Sequence, residues 1–125
     1  MMCLEKEISK DKICFVTRSM LELGISAHLM GYHYLREGIC LCMEDMELVG
    51  SITKLLYPEI AKRYHTTCEK VERAIRSAIE IGWERGNAEL YEDIFGYSRI
   101  SGKGRPTNSE FILAVSDKIL GDYRG

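Results

Sequence analysis

The side chains best able to do chemistry crowd one short stretch: Glu69, Lys70, Glu72, Arg73, Arg76 and Glu80. Apolar residues are threaded between them at helical spacing. On a wheel of 100° per residue, Ala74, Ile75, Ala78 and Gly82 fall within about 60° of Val71, with Ile79 near the margin. The opposite side holds Glu69, Glu72, Arg73, Arg76, Ser77 and Glu80, with Lys70 at its edge. Arginine can bond guanine through two donors at once, and glutamate can accept from cytosine N4. Just upstream, Pro58 to Tyr64 and a tight turn complete the proportions of a helix-turn-helix. In that motif the second helix enters the major groove and the first braces it. The same charges also suit any solvated helix face. Glu69 with Arg73 and Glu72 with Arg76 are i,i+4 pairs that stabilise a helix modestly. Pattern alone leaves both readings open.

Other chemistries find less support. His28 and His33 are five apart and share a helical face poorly, and His65 falls in the turn of the motif. No Gly-rich phosphate loop, HExxH or nucleophile elbow is present, so no enzyme, catalytic residue or cofactor is expected. Tyr32, Tyr34, Tyr57 and Trp83 read as core or interface residues. The cysteines are Cys3, Cys14, Cys40, Cys42 and Cys68. An odd count without an export signal reads as reduced thiols in a cytoplasm. Cys40 and Cys42 would point to different sides of a helix and make a poor chelate. Nothing completes a zinc set, so no metal is expected.

The elements that must position the polar stretch are helical nearly throughout, with no convincing period-two run. Ile13, Val16, Met20, Leu21 and Leu23 place a first helix from about Ser9 to Gly24. A second is expected from Ala27 to Leu48, with Met30, Tyr34, Leu35, Ile39, Leu41, Cys42 and Met46 as its stripe. Gly31 and Gly38 lie on one side of it, which implies close approach of another helix. A helical turn fits Ser51 to Leu56. Pro58 suits the first turn of the next helix, which runs to Tyr64. Thr66 with Glu69 has capping-box spacing, and Thr67 is an alternative cap for a long helix ending near Arg85. Asn87 opens a short helix to Phe95, closed by Gly96. A basic loop spans Tyr97 to Pro106. Thr107 with Glu110 caps a last helix carrying Phe111, Ile112, Val115, Ile119 and Leu120. The expected fold is all-α, a single domain of about six helices containing a helix-turn-helix.

Composition agrees. The 125 residues are 46% hydrophobic and 29% charged, the balance of one globular domain. No apolar run is long enough to span a membrane. The net charge is −2, but its distribution matters more. Residues 1–50 carry 5 basic and 8 acidic side chains, whereas residues 51–86 carry 7 and 5. Ile94 to Ser109 holds Arg99, Lys103 and Arg105 and no acid.

At finer grain, several segments resemble one family. They are Gly50-Ser-Ile-Thr-Lys-Leu-Leu-Tyr-Pro-Glu-Ile-Ala-Lys-Arg-Tyr64 and Thr66-Thr-Cys-Glu-Lys-Val-Glu-Arg-Ala-Ile-Arg76. Ala27 to Glu37, Trp83 to Asn87, Phe95-Gly-Tyr97 and Pro106 to Ile112 agree as well. Together they are similar to the DNA-binding effector domains of the stage-zero sporulation protein A family. These are response regulators of two-component systems that control entry into endospore formation. The resemblance covers about residues 13 to 120, leaving residues 1–12 as a linker or tail and 13–125 as the effector domain.

That resemblance implies a transcription factor binding double-stranded DNA at tandem short boxes, as activator or repressor. Residues 67–85 would supply the recognition helix, with Lys70, Glu72, Arg73 and Arg76 at bases. Thr53, Lys54, Lys62, Thr66, Thr67, Lys103 and Arg105 are expected at the DNA backbone. Ile94, Phe95, Gly96, Tyr97 and Ser98 correspond to a contact with the sigma factor of RNA polymerase. Self-pairing on DNA and a cytoplasmic, nucleoid-associated location follow from the same likeness. The family commonly has arginine where this chain has Lys70, and lysine lacks the bidentate fork. Arg99, Ser101 and Gly102 also depart from the family. The family protein carries a receiver domain, for which this chain has no room. An excised or free-standing effector domain is therefore expected. The other reading that the residues support is a helical interaction adaptor without DNA binding.

Overall fold

A computed structural model of the chain describes residues 10–125. Cys3 and most of the expected tail lie outside them. The helices are α1 (Lys10–Glu22), α2 (Met30–Glu44), α3 (Tyr57–Arg63), α4 (Cys68–Arg85), α5 (Ala88–Phe95) and α6 (Asn108–Arg124). No strand occurs among the described residues. The fold is all-α.

The centre of the domain is α2, which packs against α1, α3, α4 and α6. It is buried almost all round, with Tyr32, Tyr34, Leu35, Ile39, Cys40, Leu41, Cys42 and Met43 in the core. A helix enclosed on all sides has no polar face to display, which explains why its expected stripe is too narrow. Two apolar residues expected inward turn out exposed: Met30 at the start of α2 and Leu21 in α1.

Helix α2 is also shorter than the Ala27–Leu48 span. Asp45 breaks it. Its backbone is extended, and its side chain accepts from the Glu47 N–H at 3.1 Å, opening a 3-10 turn over Met46–Ser51. An aspartate that caps a new turn competes with continuing the old helix. A single π turn, Ile52–Leu56, then leads into α3, with Pro58 in its first turn.

The expected close approach at Gly31 is real. A Cβ there would lie 2.1 Å from the Ala74 carbonyl oxygen, so α2 and α4 meet backbone to backbone. At Gly38 the neighbour is the Ile60 side chain, 3.2 Å from such a Cβ. The far end of α4 is equally tight. Cβ atoms at Gly82 and Gly86 would lie 2.7 and 2.4 Å from the Leu23 carbonyl oxygen. That oxygen accepts from the Tyr91 hydroxyl at 2.7 Å.

Cys40 and Cys42 are buried, and burial pushes both thiols up to about 12. Cys14 and Cys68 are exposed. The thiolate is the reactive form. In a Cys3→Ser protein, Ellman's reagent at pH about 8 is expected to titrate Cys14 and Cys68 quickly. Cys40 and Cys42 should react only after denaturant is added. Fast reaction of all four in the native protein would contradict this packing.

Candidate nucleic-acid interface

Helix α3 buries Tyr57, Ile60 and Ala61 and is braced from outside. Arg63 pairs with Glu59 one turn back at 2.8 Å and with Glu37 of α2 at 2.7 Å. The chain then reverses tightly. His65 takes the left-handed conformation, φ 54°, and the Thr66 N–H bonds the Ala61 carbonyl at 2.9 Å. Of the two candidate caps, Thr67 is the one used: its hydroxyl accepts from the Lys70 N–H at 3.2 Å. Such a cap stabilises a helix by about 1 kcal/mol.

From there α4 segregates its residues by face. Val71, Ile75, Ala78, Ile79, Gly82 and Trp83 are buried. Ile79 is thus full core, not marginal. Lys70, Arg73 and Arg76 are exposed, and Glu72 is half-buried. Arg76 pairs with Glu72 across one turn. The four residues expected at bases therefore share the amino-terminal half of one exposed ridge.

Thr53, Lys54, Lys62 and Thr67 are exposed, and Thr66 is half-buried. They lie before α3, on it and at the turn. The remaining two expected backbone contacts come from the loop before α6. Lys103 lies over the Tyr97 ring, 5.3 Å from its centroid. Arg105 bonds Glu80 at 3.0 Å, and its Nε is buried without a partner. A cleft of about 530 Å³ joins these parts, lined among others by Thr53, Glu72, Arg76, Arg105 and Thr107. So the end of the sequence-distant basic loop, Arg105 to Thr107, reaches the first half of α4, while Lys103 lies beside its second half with Glu80 and Trp83.

A sequence model of the family described as "Sporulation initiation factor Spo0A C terminal" matches residues 16–119. That span contains α2 to α5 whole, and most of α1 and α6.

The chain belongs to this family.

As a Spo0A C-terminal domain it is a sporulation-related DNA-binding effector domain, a regulatory class rather than a known enzyme family. In this Spo0A domain the segment Ile94–Ser98 forms the end of α5 and the start of the basic loop. Phe95 stacks between Tyr91 and Phe111, at 5.7 Å from each ring. Ser98 is buried, Ile94 and Tyr97 are half-buried, and Gly96 is exposed in left-handed backbone. Much of this segment is thus held inward.

Nothing in the sequence singles out Asn108. Its Nδ2 donates to the Tyr57 hydroxyl and to the Glu72 carbonyl, each at 3.1 Å. It ties α6 to both helices of the motif. The Thr107–Glu110 box marks the helix start, but nothing local marks a partner 36 residues away. The hydroxyl of Tyr57 is raised above the ordinary tyrosine value, chiefly by burial, so it stays neutral there. Arg63 is legible in principle, through its i,i+4 spacing from Glu59.

Proposed function

We propose that the chain reads double-stranded DNA sequence-specifically, with α4 in the major groove. The observation that carries this is the division of α4 into a buried apolar stripe and an exposed ridge of Lys70, Glu72, Arg73 and Arg76. These are our base contacts. Thr53, Lys54, Lys62, Thr66, Thr67, Lys103 and Arg105 are our phosphate contacts. Arg105 would exchange Glu80 for phosphate on binding. The Ile94–Ser98 segment, with its half-buried Ile94 and Tyr97, is our candidate surface for a polymerase sigma factor. Tandem short boxes, pairing of two copies on them and a place at the nucleoid complete the reading. Activation and repression are both compatible with it. No helix among the described residues is long and apolar enough to cross a membrane.

A salt-dependent titration on duplex DNA tests the central proposal. Affinity should fall steeply with salt, because phosphate neutralisation releases counterions. Absence of salt-dependent binding would leave the adaptor reading. Phosphate contacts carry no sequence information. Lys54→Ala or Lys62→Ala should therefore weaken preferred and random duplexes about equally and reduce the salt slope by roughly one unit each. A variant that lost discrimination at constant slope would reverse the assignment for that residue.

Assembly is tested by sedimentation and by duplexes with one box and two. We expect a monomer in free solution and tighter binding to two boxes, since a shared duplex raises effective concentration. A tight free dimer, or no gain from the second box, would count against pairing on DNA.

A further inference from the structure

The carbonyls in the last turn of α4 would be orphans of helix geometry, at the negative end of its dipole. Two carbonyls at this end are met from outside the helix. Arg99 Nη1 donates to the Gly86 oxygen at 2.9 Å and to the Trp83 oxygen at 3.5 Å. Gly86 itself is wedged so closely on Leu23 that a side chain there would collide with backbone. The receiving site is therefore fixed in place.

The donor is fixed as well. Arg99 opens a 3-10 turn, Arg99–Ser101, whose cap is the fully buried Ser98. The Ser98 hydroxyl accepts from the Ile100 N–H, and its own N–H donates to Ser101 Oγ. One residue earlier, Tyr97 sets its ring edge-on to Trp83, with centroids 5.6 Å apart. Past this root the loop changes character. Ile100 is 75% exposed, an apolar side chain presented to solvent, and Ser101 to Gly104 are exposed too.

We propose that Arg99 is a positioning residue that ties the exposed loop tip, residues 100–104, to the carboxyl end of the recognition helix. DNA docking by α4 and the posture of the loop then become one mechanical unit. This rests on α4 being the DNA-reading helix. The guanidinium is suited to the task, since Nη1 carries two N–H groups and reaches both carbonyls, three residues apart in the chain.

Amide hydrogen exchange on the free full chain tests the tie first. Arg99→Ala should speed exchange at residues 100–102, whose N–H groups are bonded within the turn, by about tenfold or more. Exchange within α2 and α6 should stay as in the wild type. Arg99→Lys, which keeps a cationic donor, should restore part of the protection, whereas Arg99→Gln should restore less. The coupling is tested by repeating the exchange on a preferred duplex. Wild-type protection of residues 100–102 should rise on binding, and that rise should be smaller in Arg99→Ala. Unchanged loop exchange in Arg99→Ala would overturn the proposal. So would uniform acceleration across all helices, which marks a general stabilising role. A wild-type loop whose exchange ignores bound DNA would remove the coupling. Failure of the wild type to bind any duplex would instead overturn the DNA-reading proposal, and the free-chain exchange would still decide the tie.

Discussion

Arg73→Ala is expected to weaken binding to a preferred duplex by roughly 5- to 150-fold, the equivalent of about 1–3 kcal/mol for one good base contact. Arg76→Ala should do the same. Both side chains are exposed, on the far side of α4 from Val71, Ile75 and Ala78, so helicity should not change. Arg76→Ala also removes the pair with Glu72, but that pair is exposed, and such pairs are worth about 0.3–0.5 kcal/mol on a helix. The loss on preferred DNA should therefore far exceed the loss of stability. Random duplex should be affected less, because phosphates read charge and not sequence. Titration of both duplexes, with circular dichroism of each variant, checks the expectation. Wild-type affinity with unchanged helicity would remove these arginines from the base contacts.

The largest effect on stability is expected at Gly31. Alanine for glycine in an open helix normally stabilises by about 0.5–1 kcal/mol. At Gly31 the new methyl would meet the Ala74 carbonyl oxygen at 2.1 Å and the Ala78 Cβ at 2.7 Å. Backbone cannot rotate aside as a side chain can, so α2 and α4 must separate. We expect Gly31→Ala to destabilise by about 3 kcal/mol, at the upper end of ordinary overpacking. Gly121 in α6 has open space where a methyl group would go, with nothing within 4 Å, and alanine there should stabilise by about 0.5–1 kcal/mol. Urea unfolding of the two variants separates the cases. Two shifts of the same sign would show that the α2–α4 contact is not as close as described.

Why some of this is legible in the chain and some is not follows from distance along the sequence. Caps are local chemistry. Asn87, Gly96 and the Thr107–Glu110 box delimit α5 and α6 as the structure has them. The wheel of α4 divides core from ridge because burial on one side repeats every turn. Ile79 sits at the margin on the wheel and is wholly buried, because a wheel shows angle on one helix and not the reach of the packing around it. The end of α2 is hidden, although Asp45 is a good capping residue, because apolar spacing runs straight through it. Asn108 on Glu72, Arg99 on Gly86 and Arg105 on Glu80 join residues far apart in sequence. No periodicity encodes such pairs. The exposed ridge of α4 is therefore readable as a helix, and the basic loop as a loop, but its place beside α4 is not.

The two close seats of α4 bear on how binding preference can change. Ala74 is held against Gly31, and Gly82 and Gly86 against Leu23. Residues 74 and 86 are about 18 Å apart along a helix axis. Pinned at both points by atoms that cannot yield, the helix can neither roll nor slide without opening the domain. On the proposed reading of α4, new target sequences are then reached by exchanging individual side chains at 70, 72, 73 and 76, one letter of the target at a time. Re-aiming the whole helix is not an available route. A library built to redirect this domain should vary those four positions and leave Gly31, Gly82 and Gly86 alone.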